Sequence, residues 1–243
     1  MQLDDAFATP QSKRQYVRRL FATIADRYDL ITAVLSYGQD ARWKATLVAL
    51  ANVQPGDRAL DLACGTGDIA FAVAAKGART IGLDITHRML QLARRRAGSG
   101  VASSGRTLDF VAGDMTSLPL PAASFDLVTT GYGLRNVPDL DAAIDEIARV
   151  LRPGGRLLSL DFNRPESRLI RAVYLAYLTA VGSMLGWILH RDPDIYRYIP
   201  ASIRRYPGAR GVADRLLARG FISARVVPLL FGLLTLHVAQ RSD

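Results

Sequence analysis

The stretch LDLACGTGDIA, Leu60 to Ala70, sets two glycines and an acid behind a short apolar run. An apolar run closed by small residues and followed by a helical pattern reads as a strand, a tight turn and the start of a helix. Gly65 and Gly67 let the backbone turn sharply and approach a ligand closely. The helix that follows presents free N–H groups and the positive end of its dipole. Several nucleotide cofactors bind such a turn. The spacing Gly65-x-Gly67-x-x-Ala70 also fits the dinucleotide fingerprint, so an NAD-dependent dehydrogenase stays open at this point.

Downstream, short apolar runs alternate with helical segments, as repeated βα units on a parallel sheet require. Strands are expected at Arg58–Leu62, Arg79–Asp84, Thr107–Ala112, Phe125–Thr130 and Gly155–Phe162. Helices are expected at about 68–76, 86–97 and 139–151, the last ending at the turn Arg152-Pro153-Gly154-Gly155. Gly98 to Gly105, GSGVASSG, reads as a flexible loop. After a helix at about 208–219, two strands meet near Phe231-Gly232. Together these predict an α/β, Rossmann-like domain with a seven-strand, mostly parallel sheet ending in an antiparallel hairpin.

The 243 residues suit one such domain with appendages, and a hydrophobic content of 49% is enough for a core. A single cysteine, Cys64, rules out an internal disulfide framework. His87, His190 and His237 show no ligand spacing, so no metal site is expected. The N-terminal MQLDDAFATP has no apolar segment of the signal-peptide kind, and a cytoplasmic location is expected. A formal charge of +9 favours anionic surfaces, either nucleic acid or phospholipid headgroups. Aromatic platforms interleaved with basic residues are missing, so nucleic acid is not the expected partner.

Residues 11–50 read as helical, with Val17, Leu20, Phe21 and Ile24 on one face and Lys13, Arg14, Arg18 and Arg19 forming a basic side. That pattern suits an amphipathic helix docked on the core with its basic side solvated, or one lying on a membrane surface. The run AVYLAYLTAVGSMLGWIL, between Arg171 and His190, is long enough to span a bilayer. Its position inside a soluble fold instead predicts a lid helix, with one face on the core and another lining an apolar pocket. The chain is accordingly divided into a helical cap (1–50), a nucleotide-binding core (51–163), a substrate lid (164–205) and a terminal helix with hairpin (206–243).

Two acids refine the chemistry. Asp84, near the end of the second strand, suits two ribose hydroxyls. Asp114, closing VAGD, suits an adenine amine, with Met115 on the ring. FDLV, GLRNV and ARVLRPGGRLL follow in the order of class I S-adenosylmethionine-dependent methyltransferases, which the chain resembles. No Tyr-x-x-x-Lys pair is present for hydride transfer. YDLITAVLSYGQDARW (Tyr28–Trp43), GLRNV (Gly133–Val137), RVLRPGGRLLSLDF (Arg149–Phe162) and YRYIPASI (Tyr196–Ile203) narrow the resemblance to the ubiquinone/menaquinone biosynthesis C-methyltransferases.

That resemblance implies methyl transfer from S-adenosylmethionine to a ring carbon of a polyprenylated quinol, either demethylmenaquinol or a methoxy-benzoquinol precursor. The family's cofactor positions carry over to Thr66, Asp84, Asp114 and Met115; Asp61, Gly65, Gly67 and Gly131 complete the expected site. A quinol becomes a carbon nucleophile once a hydroxyl proton is lost. Arg135 is expected to stabilise the phenolate or orient a proton-accepting water, positioned by Asn136 and Asp161. Tyr132, Tyr196 and Tyr198 are expected to pack around the ring, and Tyr28, Tyr37 and Asp40 to close over the acceptor. Arg197, Arg204 and Arg205 read either as solvated charges or as headgroup contacts. The family's Asn is Thr32 here, its His before the Trp is Asp40, its Glu is Asp161, and the Ser before its Phe-Gly-Leu-Arg-Asn run is Gly131. The alternative reading is another lipophilic acceptor, such as a phospholipid amine or an aromatic metabolite. A peripheral membrane contact and a homodimer are the expected assemblies.

Overall fold

A computed structural model describes Leu3 and residues 5–98 and 107–243; of the loop predicted from Gly98 to Gly105, Gly98 instead ends a helix and the rest lies outside the described residues. Three helices come first: α1 (Pro10–Ile24), α2 (Tyr28–Leu35) and α3 (Asp40–Leu50). Thr9 caps α1: its hydroxyl accepts the Ser12 N–H at 3.0 Å while Pro10 occupies the first turn, where its missing N–H costs nothing. The α/β core follows as β1 (Arg58–Leu62), α4 (Asp68–Ala74), β2 (Arg79–Asp84), α5 (His87–Gly98), β3 (Leu108–Ala112), β4 (Phe125–Gly131), α6 (Leu140–Val150) and β5 (Leu151–Phe162). It is completed by α7 (Arg168–His190), α8 (Tyr198–Arg205), α9 (Gly208–Leu217), β6 (Phe221–Leu229) and β7 (Leu234–Arg241).

The sheet runs β3-β2-β1-β4-β5-β7-β6, parallel through β5, with β7 antiparallel to both β5 and β6; the seven strands and the terminal hairpin are as expected. Both faces are covered, which is why the central strands are apolar nearly throughout. Leu60, Leu62 and Val128 pack with Ile144, Ile147 and Leu216 on one face. Trp43, Leu47, Ile69 and Val73 pack with Leu127 and Leu158 on the other. The strand order reverses between β1 and β4, and the crevice above their C-terminal ends is where open α/β sheets bind ligands.

Two expectations are corrected. Arg152-Pro153-Gly154-Gly155 is no interruption between helix and strand, because β5 already begins at Leu151. The register jumps from Phe125↔Leu151 to Leu127↔Arg156, so these residues form a bulge, with Gly154 at φ +71. Pro and Gly mark bulges as well as turns, and sequence alone does not separate the two. The basic side of α1 is also not uniformly solvated. Lys13 Nζ donates to the Arg135 and Val137 carbonyls at 3.2 and 2.5 Å, and Arg14 pairs with Asp114.

Candidate active site

The turn after β1 places Gly65 at φ +54 and Gly67 at φ +93, a backbone region that glycine enters without strain. The Gly65 N–H donates to Asp84 Oδ2 at 2.9 Å, and the Thr86 N–H to Asp84 Oδ1 at 2.7 Å, so the end of β2 is tied to the turn. Thr66 donates to Asp29 Oδ1 at 3.1 Å, fastening α2 over the same turn. Asp61 is buried beneath it. Its Oδ1 accepts the Thr129 hydroxyl at 2.8 Å, its Oδ2 has no partner among the described residues, and burial pushes its carboxyl up to about 7.

Asp114 bends back on itself: Oδ1 accepts the Thr116 N–H and hydroxyl at 2.8 and 2.7 Å, and Oδ2 faces Arg14 Nε at 2.7 Å. Gly65, Asp84, Asp114, Met115, Gly131 and Tyr132 line one cleft, which α1 and α2 narrow to about 80 Å³.

A second cavity of about 700 Å³ adjoins it, almost wholly apolar. Its walls come from α1, α2, α7, the segment 195–199 and the β6–β7 tip. Tyr28, Phe21, Tyr132 and Asn136 line both spaces, so they form the partition between them. Arg135 stands at the inner end, on the short 3-10 turn Leu134–Asn136, locked by its surroundings. Its backbone N–H and Nε donate to Asp161 Oδ2 and Oδ1 at 3.0 and 3.2 Å, its NH1 donates to Ser202 Oγ, and its guanidinium lies 5.2 Å from the Phe162 ring centre. Burial pushes the Asp161 carboxyl up despite the facing guanidinium.

Tyr132 has φ +61, a strained value for a non-glycine residue, and its hydroxyl donates to Asp40 Oδ1 at 2.8 Å. Lys44 holds Asp40 Oδ2 at 2.5 Å and Asp68 Oδ2 at 2.8 Å. Burial works against the Lys44 cation, but Tyr28, Asp68 and Asp40 outweigh it and keep its pKa above the usual lysine value. Burial and the facing Asp40 push the Tyr132 phenol well up.

Most of the predicted residues line these two spaces, but Asp61 and Thr66 line a separate small pocket beside the glycine turn, and Gly67, Asp40 and Asp161 line neither space; the tyrosines also differ among themselves. Tyr37 is exposed at the cavity mouth, its ring 6.5 Å from that of Tyr177. Tyr196 lines the cavity with its hydroxyl 3.0 Å from His190 Nε2, and Tyr198 sits between the Phe7 and Tyr16 rings. Arg197 and Arg205 are not free charges: Arg197 pairs with Asp194, and Arg205 lies 4.0 Å from the centre of the Phe7 ring. Sequence reasoning missed Lys44, Ser202, Phe162, Tyr174 and Phe231. Only Lys44 had a local signal, four residues after Asp40 on one helix.

A parallel sheet of this order with an antiparallel seventh strand, a glycine turn after β1, and acids closing β2 and following β3 define a class I S-adenosylmethionine-dependent methyltransferase. The same fold is seen in a solved S-adenosylmethionine-dependent methyltransferase from Thermotoga maritima, described as a possible histamine N-methyltransferase (TM-score 0.66, 19% identity, 92% of this chain and 99% of that one). The chain belongs to the ubiE/COQ5 methyltransferase family, whose profile matches residues 9–241. It is 39% identical to a demethylmenaquinone methyltransferase of Thermus thermophilus over 91% of this chain and all of that one. It is 37% identical to a ubiquinone/menaquinone biosynthesis C-methyltransferase of Rubrivivax gelatinosus, over 96% of this chain and 89% of the relative.

The cofactor is S-adenosylmethionine, and the residues fit it. A Cβ at Gly65 would meet no atom within 4 Å, leaving open space where the cofactor approaches the turn. The unpartnered, buried Asp61 Oδ2 suits an ammonium group.

Proposed function

We propose that this chain methylates a ring carbon of a polyprenylated quinol, a demethylmenaquinol or a 2-polyprenyl-6-methoxy-1,4-benzoquinol. The observation that carries this reading is the deep apolar cavity with a buried arginine, a tyrosine and an asparagine at its inner end, against the cofactor cleft. An isoprenoid tail fills the apolar length while the polar ring meets Arg135, Tyr132 and Asn136. Residues 1–50 act as the cap and 164–205 as the lid over the core 51–163, with 206–243 closing the sheet. Asp61, Thr66, Asp84, Asp114 and Met115 hold the cofactor, together with the glycines 65, 67 and 131. Tyr28, Tyr37, Tyr196 and Tyr198 shape the acceptor space. The chain works in the cytoplasm at the membrane surface, where such acceptors reside. All the invoked groups come from one chain, so a homodimer is not needed for chemistry.

Bound S-adenosylmethionine supplies an electrophilic methyl on a sulfonium. The protein's task is to make a ring carbon nucleophilic. Arg135, oriented by Asp161 and Ser202, stabilises the phenolate oxygen in a site that excludes water. Tyr132 is too weak an acid to serve as a free base, so it relays: it takes the acceptor's hydroxyl proton and passes its own to Asp40 Oδ1. The ring carbon would take the methyl as the methyl–sulfur bond of the sulfonium breaks; the ring proton is then lost to restore aromaticity, the hydroxyl oxygen regains its proton from Asp40 through Tyr132, and one proton in all is released. Labelled methyl transfer from the cofactor to each reduced quinol, read by product mass, tests the reading. Label in neither product refutes it.

A further inference from the structure

The strongest feature outside the chemistry is one face of the surface. Among the described residues, fourteen large hydrophobic side chains are exposed, and all but Leu217 and Ile222 fall on α2 and its Tyr37, on α7, or at the β6–β7 tip. On α7 the exposed positions from Leu169 to Ile188 carry no charge, the one charged residue in that range, Arg171, being half-buried, whereas Tyr174, Leu175, Leu178, Gly182 and Leu185 face inward. This helix of 23 residues, about 35 Å long, therefore lies along the domain instead of leaving it.

At the hairpin tip Leu230, Phe231 and Gly232 take φ +45, +54 and +83 in succession, and Phe231 is fully exposed at 103%. Strained backbone that projects an aromatic ring into solvent has no stabilising role in the fold.

We infer that this face docks on an anionic phospholipid bilayer, with α7 in the plane of the interface and Phe231 inserted, so that the acceptor cavity opens directly into the acyl region. The inference rests on the proposed lipophilic acceptor. Its occupant follows from three observations. First, Tyr37, Leu169, Ile170, Val173, Leu230 and Phe231 are both exposed and cavity-lining, so the patch is the cavity's own mouth. A tail entering there comes from whatever covers the patch. Second, the start of α7 carries Arg164, Arg168 and Arg171 beside a single acid, Glu166, which is paired with Arg210. At its other end Arg191 and Arg197 balance Asp192 and Asp194. The excess positive charge lies at the N-terminal end of α7 and matches anionic headgroups. Third, the exposed Phe231 at the hairpin tip and the exposed apolar side chains along α7 suit a fluid acyl layer, which closes around them.

Trp187 reports on this directly. It is 67% exposed on α7 and outside the cavity lining, whereas the other tryptophan, Trp43, is buried. The test adds vesicles of phosphatidylglycerol and phosphatidylethanolamine, or of phosphatidylcholine alone, to the whole protein. Emission should shift to the blue and be quenched by brominated acyl chains with the anionic vesicles, and the protein should co-sediment with them. Trp187→Glu combined with Ile188→Glu should lower the bound fraction about tenfold while methyl transfer to a tail-free quinol in solution stays unchanged. An unshifted spectrum with all protein left in the supernatant overturns the inference. So does concentration-dependent self-association that buries Trp187 without lipid. Methylation in detergent micelles is scored separately, so loss of vesicle binding and failure of the quinol reading are told apart.

Discussion

Asp161→Asn is the sharpest test of the Arg135 geometry. Three N–H donors converge on this carboxylate: the Arg135 amide, the Arg135 Nε and the Phe162 amide, at 3.0, 3.2 and 2.8 Å. Asparagine keeps one acceptor oxygen, turns an NH2 group toward a donor and removes the only negative charge that, among the described residues, is bonded to a guanidinium that is 5% exposed. Breaking one side of a buried pair costs about 3–5 kcal/mol, much of the ~5–15 kcal/mol that holds a domain folded. For a chain of this length that lowers the melting temperature by about 6–20 °C. Thermal unfolding monitored by circular dichroism measures it. Adding Arg135→Met removes the stranded charge and should restore at least half of the lost stability, with turnover still abolished. Stability that recovers without activity separates the structural role of the pair from its chemical one. Asp161→Asn melting within about 2 °C of the parent at unchanged turnover would refute the reasoning.

Three further outcomes follow from the same geometry. Arg14 sits on the Asp114 oxygen assigned to the adenine; the pair is partly solvated and worth about 0.5–1 kcal/mol, so Arg14→Ala should tighten cofactor binding about two- to fivefold by calorimetry, and weaker binding would contradict the arrangement. Asp61 titrates at about 7 in the fold against an ordinary 3.8, so the folded state keeps a proton that the unfolded chain loses between those values. The cofactor-free protein should therefore lose up to about 4 kcal/mol of stability as the pH rises from ~4 to ~7, and urea melts of Asp61→Asn should lack that slope. Tyr132→Phe and Asp40→Asn should each lower kcat about a hundredfold with cofactor affinity unchanged; unchanged kcat in both variants would exclude the relay.

The sheet was legible because its signals are local. The apolar run before Gly65, the acid ending β2 and the Phe231-Gly232 turn each announce themselves within ten residues, which gives the seven strands and the hairpin, while their order in the sheet is set by crossovers that no local signal carries. Arg135, Asn136 and Asp161 were legible through the quoted runs that resemble the family. Contacts between distant segments were not. Nothing local tells that Arg14 meets Asp114 or that Lys13 reaches the Arg135 carbonyl. The run from Ala172 to Leu189 is apolar on every side, so its periodicity could not say which face docks and which stays open. Pro153 and Gly154 read as a break because the residues of a bulge and of a turn are the same.

The most direct measurement is the position of the transferred methyl. With 13C-methyl S-adenosylmethionine and a chemically reduced polyprenyl quinol, the account predicts a product whose labelled methyl is bonded to a ring carbon, and no product from the oxidised quinone. A methoxy carbon, or equal labelling of quinol and quinone, would contradict a phenolate-driven carbon nucleophile held at Arg135.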